Sequence, residues 1–158
     1  MSLKERLEQD MKEALKAREA GRTRLSVIRM VRAAIKNEEI ERGHPLSDDE
    51  VVQVLARERR QRQEALEEYR RAGREDLVQQ MEAENEVLAS YLPEPLSEAE
   101  LTRLAEEVIA EVAARGPQDM GTVMGRLMPR IRGRAEGSEA SRIVRDLLAR
   151  QAQQGSPR

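Results

Sequence analysis

Two tyrosines are the only aromatic residues in the chain, which has no phenylalanine and no tryptophan. Aromatic rings commonly supply much of the area buried in sandwich and barrel cores. Without them the interior has to be built from Leu, Val, Ile, Met and Ala, a palette that favours packed helices. Hydrophobic residues still make up 39% of the 158, enough for a core and too much for a disordered chain. That length admits one domain or two small ones.

Apolar residues recur throughout at helical spacing. Ser2 and Glu5 have the spacing of a capping box, followed by Leu3, Leu7, Met11 and Leu15. Gly21 is expected to end this first helix. Leu25, Ile28, Val31 and Ile35 mark a second, stopped near Gly43 and Pro45. Ser47 with Glu50 opens a third, running to about Ala72. Its segment "RERRQRQE" (57–64) has no apolar residue and is expected to lie largely in water. Leu77, Met81, Leu88 and Leu92 mark a fourth helix ending before Pro93.

"YLPEPLSEAE" (91–100) then reads as a boundary, because each proline disfavours helix at the residue before it. Ser97 with Glu100 starts a fifth helix, carried by Leu101, Leu104, Val108, Ile109 and Val112 to Gly116-Pro117. A short helix at about 119–128 and a last one after Ser138 complete seven. The expectation is an all-α protein with no strand and two helical domains. The first is a bundle of about four helices over 1–94, packed through Leu7, Met11, Ile28, Val31, Leu55 and Leu66. The second is a bundle of about three over 95–150, packed through Leu104, Val108, Met124, Leu127, Val144 and Leu147. "QAQQGSPR" (151–158) is expected to be a frayed tail.

Little in the chain can do bond chemistry. It has no cysteine, which removes disulfides, thiolate nucleophiles and cysteine metal sites. His44 is the single histidine and sits between Gly43 and Pro45, in a turn. Ser2, Ser47, Ser97 and Ser138 stand at helix N-cap positions, a structural role, so a triad built on His44 finds no free serine. Neither common nucleotide fingerprint is present. Adjacent carboxylates such as Asp48/Asp49 and Glu67/Glu68 point to different faces of a helix. No catalytic residue, metal ligand or cofactor is assigned. No apolar run approaches the roughly 18 residues a membrane span needs, and "MSLKERLEQDM" lacks an apolar signal core. No membrane partner is expected, and the default location is cytoplasmic.

The net charge of −2 conceals an uneven layout. Residues 1–36 hold ten Lys/Arg against five acids, and residues 112–150 hold eight Arg against four; residues 82–111 hold nine acids and one base. Such asymmetry accompanies both nucleic-acid partners and plain solvated helix faces. It culminates in "DMGTVMGRLMPRIRGRAEGSEAS" (119–141), where Arg126, Arg130, Arg132 and Arg134 follow one another with no acid between. Met120, Val123, Met124, Leu127 and Met128 form one apolar face, with Gly121 and Gly125 beside it. An internal glycine costs a helix up to about 1 kcal/mol against alanine. Two of them imply that something bulky comes close. Pro129 would kink a continuing helix, and Gly133 and Gly137 allow left-handed geometry in the "RGRAEG" loop. Three readings follow: close helix packing beside an exposed basic loop, a phosphate-binding surface, or a methionine-rich groove for a partner helix. Arg142 and Arg145 can add charge to the second. "RERRQRQE" is a competing basic surface, except that Glu58 and Glu64 can pair with its arginines.

These residues also carry a resemblance. "DMGTVMGRLMPRIRGRAEG" resembles the C-terminal segment of the GatB/YqeY family. "RLSVIRMVRAAIKNEEIERG", "RQRQEALEEYRRAGREDLV" and "YLPEPLSEAEL" fit that family in the same order. The resemblance spans about 2–150 and points to the stand-alone YqeY-like branch. It implies two all-helical domains like the C-terminal helical and tail regions of GatB, a subunit of the glutamine-dependent aminoacyl-tRNA amidotransferase. The tail is associated with holding tRNA, and YqeY-like proteins commonly carry the label of carbon–nitrogen ligase with glutamine as amido donor. GatB's ATP- and metal-using centre lies in a catalytic domain without counterpart here. The glutaminase centre, a Ser-Ser-Lys arrangement, belongs to another subunit. This chain has four lysines (Lys4, Lys12, Lys16 and Lys36) and no adjacent serine pair.

The resemblance therefore implies an accessory, tRNA-binding protein lacking activity alone. Arg126, Arg130, Arg132 and Arg134, shaped by Gly121, Gly125 and Gly133, would contact the RNA backbone; no DNA partner is implied. The alternatives are an autonomous amidotransferase and a helix-mediated protein–protein adaptor.

Overall fold

The computed structural model describes residues 1–155 and is all-α, with seven α-helices and no strand among those residues. The chain divides into two compact units, Met1–Pro93 and Glu94–Arg158. No helix among the described residues is long and apolar enough to cross a membrane.

The first unit contains α1 (Leu3–Lys16), α2 (Arg22–Arg42), α3 (Asp48–Arg71) and α4 (Glu75–Ala89). Local chemistry sets most of their ends. The Ser2 hydroxyl accepts the Glu5 N–H at 3.1 Å, and Ser47 with Glu50 forms a complete capping box. Gly43 ends α2 in the left-handed region, at φ +78°. Leu7, Ile28, Val31, Leu55 and Leu88 are buried together as the core, and Met11 is partly buried against it. Truncating one such leucine costs about 2–5 kcal/mol, a large fraction of what a unit this small can hold.

A polar clamp closes the same unit. The Tyr91 hydroxyl donates to Asp10 Oδ2 at 2.5 Å, and Arg24 reaches that oxygen at 3.2 Å. Arg6 lies over the Tyr91 ring, 4.6 Å from its centroid. Burial first, and then the hydrogen bond to Asp10, pushes the Tyr91 hydroxyl up to about 12.

Two sequence expectations fail or hold only in part in this unit. The first α-helix stops at Lys16, not at Gly21; a 3₁₀ turn over Arg18–Gly21 follows, entered through Arg18 at φ +54°. Gly21 is needed for contact, since a Cβ there would lie 2.2 Å from the Ala14 carbonyl oxygen. "RERRQRQE" lies only partly in water: Arg60, Gln61, Gln63 and Glu64 are exposed and none of the eight is buried, but Arg57, Glu58, Arg59 and Arg62 are half-buried. The side chains of Glu58 and Arg62 are 16% and 11% exposed and pair at 3.3 Å. They continue the buried stripe of Val51, Val54 and Leu55 down α3. The stripe is maintained by an ion pair whose charges cancel where apolar side chains run out.

The second unit contains α5 (Glu98–Glu111), α6 (Met120–Ile131) and α7 (Gly137–Gln154). Ser97 and Glu100 make another complete capping box. Leu101, Val108, Val123, Leu127, Val144 and Leu148 are buried together, whereas Leu104, Met124 and Leu147 are only partly buried at the edge of that core. Three boundaries differ from expectation. Pro129 lies inside α6, which runs to Ile131, because a proline in the last turn forfeits a single hydrogen bond. Ser138 does not cap α7; Glu136 precedes the helix and Gly137 begins it, without left-handed geometry. Residues 151–154 continue α7, since the Gln151 amide donates to the Ala114 carbonyl at 2.7 Å. The rest of the expected frayed tail, residues 156–158, lies outside the described residues.

Candidate nucleic-acid interface

α6 is preceded by a 3₁₀ turn over Pro117–Asp119, whose Asp119 carboxylate accepts the Arg115 N–H at 2.8 Å. Spacing of three and four then sorts its residues. Val123, Leu127 and Ile131 are buried, and Met120, Met124 and Met128 pack partly buried beside them. The methionines belong to the edge of the core and do not form a free groove. The opposite face presents Gly121, Thr122, Gly125, Arg126 and Pro129, all exposed.

That face is open. A Cβ built on Gly121 or Gly125 meets nothing within 4 Å among the described residues. Neither glycine has a positive φ among the described residues, so neither backbone geometry nor packing within the chain demands it. Gly121, Gly125 and Pro129 stand four apart in one row. Pro129 has no N–H to return to the Gly125 carbonyl, which therefore loses its usual helical donor on the side facing solvent.

The arginines divide into three kinds. Arg130 donates to Glu111 Oε2 at 2.6 Å, and Arg126 approaches the same oxygen at 3.9 Å. The hydrogen bond from Arg130 holds the Glu111 carboxyl below the usual carboxylate range and raises Arg130 in turn. Glu111 thus faces both guanidinium groups, and Glu107 also acts on Arg130. Arg132 caps the end of α6, exposed, with no acid within 4.0 Å among the described residues. Gly133 follows at φ +77°, the left-handed geometry expected of it.

Arg134 differs. It is half-buried, its Nε donates to the Glu94 carbonyl at 3.0 Å, and its own carbonyl accepts the Leu96 N–H at 2.8 Å. It fastens the segment before α5 to the end of α6. Arg142 pairs with Glu98 at 3.3 Å. Glu98 begins α5 and Glu111 ends it, about 20 Å apart along the helix, so Arg142 does not share the carboxylate of Arg126 and Arg130. Arg145 is exposed on α7.

The structure thus gathers Gly121, Gly125, Arg126, Arg130 and Arg132 on and beside one helix face, and turns Arg134 to an internal task. Sequence reasoning missed the exposed Thr122, which a helical projection places between Pro129 and Arg126. It also missed Glu111, whose 19-residue separation from Arg130 leaves no local signal. His44 lies exposed in its turn, a ring nitrogen 2.9 Å from the Pro45 carbonyl. No group of three or more His, Asp or Glu side chains suited to a metal ion occurs among the described residues.

Residues 4–148 match the family described as Yqey-like protein. Over 136 residues the chain is 32% identical to "Altered inheritance of mitochondria protein 41, mitochondrial" of Pyrenophora tritici-repentis, covering 85% of this chain and 74% of that protein. The protein of the same name in Lachancea thermotolerans is 31% identical over 114 residues, 70% of this chain and 60% of its own length. A shorter similarity, 43% over 54 residues, is to a glutamyl-tRNA(Gln) amidotransferase subunit of Thermococcus gammatolerans; it covers 32% of this chain and 9% of that protein.

Proposed function

This chain belongs to the YqeY-like family, and we propose that it is an RNA-binding accessory of glutamine-dependent tRNA amidation that holds tRNA against the outer face of α6. The observation that carries this reading is the open glycine row. Gly121 and Gly125 weaken α6 without a packing role among the described residues, which supports a use in something that approaches from outside. A phosphodiester backbone fits the surroundings: Arg126, Arg130 and Arg132 supply donors, and the bare helix surface admits the backbone closely. The described part of this unit holds no aromatic residue to stack on bases. Contacts are therefore to phosphate and sugar, and recognition is by shape. The name of the Thermococcus relative supports tRNA as the RNA.

The chain supplies binding and not amide chemistry, since it has no nucleotide fingerprint, no cysteine and no serine pair beside a lysine. The carbon–nitrogen ligase label then describes the process it serves. Release of ammonia from glutamine by the pure protein, abolished by one substitution, would overturn this. The compartment is one where tRNA is charged. The cytoplasm meets that condition, as does the mitochondrial matrix, the compartment consistent with the names of the fungal relatives.

The test is tRNA binding at two salt concentrations, comparing wild type with Arg126→Ala/Arg130→Ala/Arg132→Ala. Arg134 is left intact because it holds residues 94–96. Three phosphate contacts give a salt slope of about −2 to −3, lost in the variant; equal affinity of two folded proteins would refute the site. The row of two glycines four apart also suits a closely docked helix, the adaptor reading. A protein partner retained after ribonuclease treatment would favour it.

A further inference from the structure

Between Glu19 and Glu38 the chain has five cations and no acid. α2 sorts these five. Arg24 turns inward to Asp10, whereas Arg22, Arg29, Arg32 and Lys36 are exposed. Val27, Ile28, Val31 and Ile35 bury the opposite face. Arg29, Arg32 and Lys36 fall on one face at spacings of three and four, with Arg22 two turns before Arg29. The row is about 21 Å long at the rise of an α-helix. Leu25, partly buried, completes the row between Arg22 and Arg29, and the small, exposed Ser26 and Ala33 border it.

Three of these four have no carboxylate partner, unlike most of the cations elsewhere in the unit, although Arg32 donates to Met11 Sδ at 3.0 Å. Lys4, Arg42, Arg57, Arg70 and Arg74 each have a carboxylate partner. Among the described residues no carboxylate lies within 4.0 Å of Arg29, Arg32 or Lys36, and Arg22 meets Glu19 only at 4.0 Å with both side chains over 80% exposed. Glu5 and Glu8 of α1 and Glu39 of α2 line a groove shared with Arg32 and Lys36 and bound the row on that side.

We propose that the outer face of α2 is a second polyanion site, binding the phosphodiester backbone of structured RNA through Arg22, Arg29, Arg32 and Lys36. The row has rigid spacing, and among the described residues Arg29, Arg32 and Lys36 have no carboxylate within 4.0 Å. A membrane surface fits less well, because a helix lying in lipid needs a free apolar face and that of α2 is spent in the core; Ile40 is the single exposed large apolar residue on this helix. An acidic protein fits less well because Leu25, the large apolar residue between the cations, is partly buried, and Ile40 stands alone beyond Lys36, too little for the centre of an interface.

The α6 site can fail while this one stands, and the reverse. The test uses the full chain, wild type beside Arg29→Gln/Arg32→Gln/Lys36→Gln, with circular dichroism confirming equal helicity. The probes are a 20-base-pair RNA duplex and, separately, vesicles of phosphatidylcholine with phosphatidylserine. The wild type should bind the duplex with a salt slope about 3 steeper than the variant, roughly one for each cation removed, and should ignore the vesicles. Unchanged affinity and slope in the folded variant would overturn the proposal, as would wild-type binding to vesicles and not to RNA. Loss of duplex binding in the α2 variant with retention in the α6 variant would support α2 and count against α6.

Discussion

Gly21 and the pair Gly121/Gly125 are the same residue type in opposite circumstances. At the elbow between α1 and α2, a side chain on residue 21 would drive a Cβ to 2.2 Å from the backbone of Ala14. On the outer face of α6 a side chain would meet nothing. The elbow is closed, with Asp10, Tyr91 and Arg24 locked nearby; the α6 face is open, with no carboxylate within 4.0 Å of Arg132 among the described residues. The contrast separates two demands that look identical in a sequence. One glycine is required by the chain's own packing, and the other two weaken their helix for no internal gain.

The largest effect expected is at the elbow. Gly21→Ala should destabilise the first unit by about 1–3 kcal/mol, the usual cost of overpacking against backbone that cannot give, read as a lowered denaturant midpoint. A neutral result would mean that the elbow yields, and the contrast would collapse. Arg134→Ala should cost about 1 kcal/mol through its lost hydrogen bond to the Glu94 carbonyl, while Arg132→Ala should leave the denaturant midpoint unchanged. Equal effects would erase the division between the internal arginine and the outward one.

A third experiment probes the closed region by pH. Tyr91 is raised to about 12 in the fold from an ordinary 10.0. Its contribution is fully present below pH 10 and is lost as pH climbs from about 10 to about 12, because only the unfolded chain then releases the proton freely. Wild type should therefore lose more stability across that window than Tyr91→Phe, measured by urea unfolding at pH 9, 10 and 11. Identical slopes would remove Tyr91 from the clamp.

Most of the fold was legible because its determinants are local. Ser47 with Glu50 and Ser97 with Glu100 announce helix starts three residues apart, and spacing alone identified Ile28, Val31, Leu55 and Val108 as core. What escaped was decided at long range. Arg134 finds Glu94 across 40 residues, and Gln151 finds Ala114 across 37, so neither the inward turn nor the helical tail has a sequence mark. Glu58 and Arg62 are drawn half out of water, because each neutralises the other at the end of the buried stripe of Val51, Val54 and Leu55. At the candidate site the glycines and arginines were visible as residue types. The open side of α6 was not, since a small residue reads the same whether another helix covers it or nothing does.

The most direct test of the central claim is one double variant, Gly121→Ala/Gly125→Ala, measured for both stability and tRNA binding. Alanine should raise the stability of the second unit by up to about 1 kcal/mol per site, since each new methyl group enters open space. The same methyl groups should hold an RNA backbone away and weaken tRNA binding by about tenfold, equivalent to 1.4 kcal/mol. A more stable protein that binds less well is the predicted result. A less stable protein would show that the glycines serve the chain's own packing, and a more stable one with unchanged affinity would show that nothing needs to approach this face.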